Sequence, residues 1–297
     1  MELERLRFAS PAKVNFGLRI LGKRPDGYHA IETIFQMLDL CDWLTFRPHG
    51  AGSVRLTCNT PALPTDASNL VVRAAKLLQD EMHVRQGVDI TLDKSIPIAA
   101  GLGGGSSNAA LVLLVLNRLW RVNCPITTLY ALAGQLGSDV PFFLDGPTAL
   151  AEGRGDVLSP TSPLPPLRGL LLNPGFGISA GWAYSQFRGH PSATALPIST
   201  VLQALRQHDF ASLAGAMVND LEPGVVATYP VIREMQDTLW ALGASLTFMS
   251  GSGPTVGGLF TSATIFEAAR VTLGRQSAWT VLPFSTLVEG PHPELQG

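Results

Sequence analysis

Residues 97–116, PIAAGLGGGSSNAALVLLVL, bring four glycines and two serines to the start of an unbroken apolar run. A helix that is apolar on every side has to be buried. Its amino end then carries unpaired N–H groups and a positive dipole end into a loop with almost no side chains. Gly101, Gly103, Gly104 and Gly105 can take positive φ and let a ligand approach the main chain, because no Cβ stands in the way. Ser106 and Ser107 open the helix. An anion, above all a phosphate, is the guest that such a pocket favours. A glycine-rich turn packed under a helix for structural reasons alone is the competing explanation.

Two common phosphate loops can be tested by position. A Walker A loop needs lysine after its last glycine, where this chain has Ser106. A dinucleotide fingerprint needs Gly or Ala there and an acid about 20 residues on. That neighbourhood reads Arg121, Val122, Asn123, so neither template fits.

The rest of the chain has to house that helix. With 297 residues, 46% of them hydrophobic and 15% charged, it can build a sizeable core, and the length suits two domains. Residues 159–169, SPTSPLPPLRG, hold four prolines that continue neither a helix nor a central strand. The junction is placed there, dividing the chain into residues 1–163 and 164–297. The 21 Lys and Arg nearly balance 23 Asp and Glu, so no basic field invites nucleic acid or an anionic membrane. A small molecule is the expected partner. Cys41, Cys58 and Cys124 are odd in number and lack metal-like spacing, which predicts reduced thiols and a cytoplasmic protein. The opening MELERLRFAS has no apolar stretch of signal-peptide length, and the longest apolar run, residues 109–116, is too short to span a bilayer.

Periodicity predicts α+β structure in both halves. LRFASPAKVNFGLRI, SVRLTCN and GVDITLDK read as strands, the last with Val88, Ile90 and Leu92 inward. NLVVRAAKLLQDEM has apolar residues at helical spacing. After the junction, LRGLLLN and SLTFMS read as strands, while TYPVIREMQDTLWALG and TIFEAARVTLG read as helices ending at Gly243 and Gly274.

Four further segments have ordinary explanations when taken singly. SPAKVN puts Lys13 and Asn15 on one face of a strand, where a lysine is commonly a solvated edge residue. In GSDVPFF, Asp139 follows a helix end at Gly137 and reads equally as a cap or a catalytic group. MSGSGPT is a small-residue turn after a strand, and RPDGYH is a Pro-Asp-Gly turn.

Taken together and in this order, PAKVN, GLGGGSSNAA and SGSGPT resemble the three motifs of the GHMP small-molecule kinase superfamily. RPDGYH and GSDVPFF are similar to the branch whose substrate is a cytidine diphosphate conjugate of methylerythritol. The resemblance runs by motif order over most of residues 8–261. It implies an α+β fold of two domains, ribosomal S5 domain 2-like and then ferredoxin-like, with the active site between them. It implies ATP and Mg²⁺ as cofactors and phosphorylation of an alcohol. By motif, Lys13 and Asp139 fall on the catalytic pair, Gly101 to Ser107 on the phosphate loop, and Asn69, Leu70 and Lys94 on the adenine pocket. Tyr28 and Tyr184 fall where rings sandwich cytosine, with His29 and Asn15 as hydrogen-bonding neighbours. Ser106 or Ser107 is the candidate metal contact. The chain departs from the pattern at Ala99-Ala100, where a glycine is common, and at Gly257, where relatives often have a bulkier residue. It also has Ser179 and Ala180 in place of a Ser-Thr pair. Other members acting on homoserine, mevalonate or a sugar, or a catalytically inactive ligand binder, are the alternative readings.

Overall fold

A computed structural model describes residues 6–189, 195–276 and 278–290; the first five residues of the opening stretch lie outside it. The alternating segments around the Pro-Asp-Gly turn form a long antiparallel hairpin, β1 (Leu6–Lys23) and β2 (His29–His49). β3 (Val54–Cys58), helix α1 (Leu70–Glu81) and β4 (Gly87–Asp93) follow, with β3 parallel to β4 and α1 as the crossover. Then come α2 (Gly104–Leu119), α3 (Ile126–Leu136), α4 (Phe142–Asp145), β5 (Thr148–Glu152) and β6 (Val157–Pro160). The strand order is β3-β4-β2-β5-β6, with β1 paired to β2. Val88, Ile90 and Leu92 are buried as their alternation predicts, in one core with α1, α2 and α3.

The chain leaves this sheet after Pro160 and starts a second one at Arg168. Pro160 itself is paired in β6, which it can be because β6 is an edge strand and the proline closes it. The second half runs β7 (Arg168–Asn173), α5 (Ala180–Gln186), α6 (Ile198–Gln207), α7 (Phe210–Leu213), α8 (Glu222–Thr228) and α9 (Val231–Ala241). It ends with β8 (Leu246–Met249), β9 (Val256–Leu259), α10 (Ala263–Gln276) and β10 (Thr280–Ser285). The antiparallel order β10-β7-β9-β8, with helices after β7 and after β9, is the ferredoxin-like arrangement.

Alternation along β1 decides what meets what. Ala12, Val14 and Phe16 face a core shared with Leu171 of β7, Phe248 of β8 and Leu259 of β9, so one strand joins the two sheets. Lys13 and Asn15 point the other way, toward the site.

Two expectations are corrected, and one departure from the family pattern is explained. α10 does not stop at Gly274 but runs on to Gln276; nothing lies within 4 Å of where a Cβ on Gly274 would stand, and a helical glycine costs only about 1 kcal/mol. Gly104 and Gly105 are already in α2 and do not take positive φ, which falls to Gly101 (+76°) and Gly103 (+67°). Gly257 is small because the Phe248 ring fills its place; a Cβ there would lie 2.2 Å from Phe248 Cζ. Among the described residues no helix is long and apolar enough to cross a membrane.

Candidate active site

The three glycine- or lysine-bearing motifs, far apart in sequence, are tied together by hydrogen bonds to the main chain, two of them through one serine hydroxyl. Lys13 N–H donates to the Leu102 carbonyl at 2.9 Å. The Ser250 hydroxyl donates to the Gly101 carbonyl at 3.0 Å and accepts the Asn15 N–H at 3.3 Å. This closeness explains the glycines. A Cβ on Gly101 would stand 2.1 Å from the Ser250 carbonyl oxygen, and one on Gly103 2.9 Å from both Lys13 Cγ and Phe143 Cζ. Gly103, in the left-handed region, is the residue from which α2 starts, so the helix opens with free N–H groups beside Lys13.

Lys13 is no edge residue. It is 4% exposed, with Nζ 2.6 Å from Asn15 Oδ1, 3.3 Å from Asp139 Oδ2 and 4.6 Å from the centre of the Phe35 ring. The two-residue spacing on β1 brings the lysine and asparagine side by side, and Asn15 is oriented by donating Nδ2–H to Thr33 Oγ1. Between Pro11 and Lys13 the β1–β2 register shifts, a bulge of the kind that re-aims side chains at active sites. Asp139 caps no helix: α3 ends before it and Pro141 precedes α4. Its side chain stays 31% exposed, within reach of a substrate.

The aromatic residues lie close by. Burial, and then the charge of Asp139, raise the Tyr184 phenol above its usual range, so ring and carboxylate share one cleft. The ring parallel to Tyr184 is His29, at 5.5 Å between centroids and 13° between planes. Tyr28 does not face Tyr184 directly in this state. It is 57% exposed in the turn, with the Arg154 guanidinium 5.0 Å from its ring centre. Ser179 caps α5 by accepting the Trp182 N–H, and Ala180, the first helical residue, brings no hydroxyl.

A second polar cluster stands behind the phosphate loop, and sequence reasoning passed over its centre. Asp42 of β2 is fully buried and accepts from Lys94 Nζ (2.5 Å), the Ser95 and Ile96 N–H groups (2.8 Å each) and Asn108 Nδ2 (3.0 Å). Asn108 also donates to Ser10, whose hydroxyl is 2.7 Å from that of Ser107. Lys94 is thus fixed beside the loop: a Cβ on Gly104 would be 2.8 Å from its Nζ. Burial lowers its pKa, with Asp42 opposing the shift. Asn69 caps α1 through Val71 N–H and holds the Pro64 carbonyl, while Leu70 borders Gly105. Of the two serines, Ser107 is spent on Ser10, whereas the half-buried Ser106 hydroxyl has no protein partner among the described residues. No cluster of three His, Cys, Asp or Glu suited to a metal occurs among the described residues. The missed residues had one visible signal, a charged or small polar residue interrupting an otherwise apolar strand or helix, as Asp42 does in MLDLCDWLTF.

Residues 69–147 match the family model "GHMP kinases N terminal domain" and residues 201–273 match "GHMP kinases C terminal". A 4-diphosphocytidyl-2-C-methyl-D-erythritol kinase from Synechococcus sp. (strain JA-2-3B'a(2-13)) is 45% identical over 277 residues, 89% of this chain and 88% of the relative. One from Geobacter metallireducens is 40% identical over 288 residues, covering 96% of this chain and all of the relative. A crystal structure of 4-(cytidine 5'-diphospho)-2C-methyl-D-erythritol kinase superposes with a TM-score of 0.80 at 34% identity, covering 95% of this chain and 99% of that one. A homoserine kinase from Cytophaga hutchinsonii, 18% identical with a TM-score of 0.73, shares the fold. Sequence, architecture and motif geometry agree that the chain belongs to the GHMP kinase family, among its 4-diphosphocytidyl-2-C-methyl-D-erythritol kinases.

Proposed function

We propose that this chain transfers the γ-phosphoryl group of ATP to the 2-hydroxyl of 4-diphosphocytidyl-2-C-methyl-D-erythritol, a step of non-mevalonate isoprenoid synthesis; its relatives are named as kinases of that compound. Residues 1–163 would hold the nucleotide and residues 164–297 complete the substrate cleft. The observation that carries the reading is the Lys13 ammonium, set between Asn15 and Asp139 at the open end of α2.

Phosphoryl transfer through a loose transition state depends on alignment and charge stabilisation more than on early deprotonation. The N–H groups that open α2 after Gly103 cradle the phosphates. Asp139, 3.3 Å from the Lys13 ammonium, accepts the hydroxyl proton, and Lys13 offsets the charge that develops on the attacking oxygen. The unpartnered Ser106 hydroxyl suits Mg²⁺, which takes few protein ligands and would otherwise be held by phosphate oxygens and water, neutralising phosphate charge. Asn69 and Leu70 border the adenine. Cytosine is gripped by Tyr28 and Tyr184, with His29 leaving the face of Tyr184 to meet the base edge.

The test is ATP consumption with the cytidine diphosphate conjugate beside mevalonate, homoserine and galactose. Turnover confined to the conjugate is expected; preference for any of the other three overturns the substrate assignment, and no turnover with any leaves a ligand binder.

A further inference from the structure

One buried carboxylate outside the reacting pair holds the back wall of the phosphate loop. Asp42 lies directly opposite Ser10 in the β1–β2 pairing and is 0% exposed. Its Oδ1 accepts the Ser95 and Ile96 N–H groups, on the segment leading into the loop. Its Oδ2 accepts from Lys94 on that same segment and from Asn108 in the second turn of α2. A single side chain therefore ties the two ends of the loop together. It also solves an electrostatic problem. The Lys94 ammonium sits beside Gly104, at the positive end of α2, and burial works against its charge. Two positive groups converge where a polyphosphate is to bind, and Asp42 keeps them in place before it arrives.

We propose that Asp42 is a positioning residue for nucleotide binding, acting through Lys94 and Asn108 without touching ATP; the inference rests on the ATP-dependent reading above. Asp42→Asn keeps an acceptor for Ser95 and Ile96 but removes the charge. Lys94 then has the helix terminus of α2 on one side and, as an ionisable neighbour, Cys58 of β3 on the other. It gives up its proton at lower pH, and nucleotide affinity falls as pH rises. No hydrogen bond runs from Asp42 to Lys13, Asn15 or Asp139, so recognition of the acceptor is left alone.

The experiment is calorimetric titration with a non-hydrolysable ATP analogue, together with KM for each substrate, repeated at several pH values from neutral upward. Asp42→Asn should weaken the analogue about tenfold or more near neutral pH and further as pH rises, with the acceptor KM within about twofold. In a Lys94→Met background the same change should alter analogue affinity by less than about twofold, because residues acting through one another are not additive. Unchanged analogue affinity in folded Asp42→Asn, equal losses in both backgrounds, or matched rises in both KM values each overturn the proposal. Should Asp42→Asn not fold, Asn108→Ser removes one donor from the same oxygen; a loss of about threefold for the analogue alone is expected, and no loss overturns it. Wild-type protein that binds the analogue yet phosphorylates no acceptor would overturn the proposed function and leave this inference standing.

Discussion

Two lysine–carboxylate pairs lie beside the glycine loop, and they are built differently. Lys94 and Asp42 are both buried, at 2.5 Å, and every oxygen of the carboxylate is taken by protein donors. Lys13 is equally buried, but its partner Asp139 is 3.3 Å away, 31% exposed and has an oxygen to spare for a substrate. A closed pair fixes a wall; an open pair leaves a carboxylate at the edge of water, where the proposed proton acceptor has to be. Desolvation makes the first unable to lose one member without leaving an uncompensated charge, whereas in the second solvent reaches the carboxylate and the buried lysine keeps Asn15 as a partner.

The sharpest way to break this contrast is to cut both pairs. Asp139→Asn should lower kcat about 10²–10⁴-fold with little change in the denaturation midpoint, as for loss of a general base; near-normal turnover would make Asp139 a bystander. Asp42→Ala should instead cost about 3–5 kcal/mol of stability in denaturant titration, the penalty for stranding a buried charge. Equal stability losses in the two variants would erase the distinction. Gly101→Ala is next in size. It forces a side chain into left-handed backbone 2.1 Å from a carbonyl oxygen, and should cost about 1–3 kcal/mol while raising the KM for ATP.

The serines provide a finer version of the same test. Ser106→Ala should raise the KM for ATP about tenfold and leave stability alone, since its hydroxyl serves no protein group. Ser107→Ala should do the reverse, losing about 1 kcal/mol with KM kept, because it strips a partner from buried Ser10. The smallest effect concerns pH. The Lys94 pKa is lowered in the folded chain, so the folded state releases its proton before the unfolded state does. Stability contributed by this group therefore rises with pH between the lowered value and the ordinary 10.5. Urea midpoints of wild type relative to Lys94→Met should diverge upward over that window; a flat difference would mean that Asp42 cancels the cost of burial.

Much of this was legible in the sequence, for physical reasons that differ between elements. The helix after the loop could be read because a run apolar on all sides has nowhere to go but inside, and β4 because its alternation is strict. β9 was illegible: Val-Gly-Gly-Leu carries no β signal, and its two glycines are there for the Phe248 ring and Leu239 packed against them. Lys13, Asp139 and the glycines were singled out by motif, yet the spacing alone read Lys13 as an edge residue, since its burial depends on Phe35, Gly103 and Phe143, which come later in the chain. Asp42 was missed because its one local mark, a charge interrupting an otherwise apolar strand, does not show its partners, which lie 52 to 66 residues further along the chain. Ala99 departs from a glycine-rich pattern and still adopts φ +51°, the conformation that glycine would take at no cost, while its carbonyl receives the Ile178 N–H.

The Ser250 hydroxyl, which belongs to the turn after β8 yet holds both Gly101 and Asn15, has a kinetic implication. It ties the second sheet to the glycine loop, so if that loop holds the triphosphate as proposed, a motion that parts the two sheets would also slacken the grip. On that reading, departure of spent nucleotide and opening of the cleft would share one barrier, and Ser250→Ala is expected to quicken both.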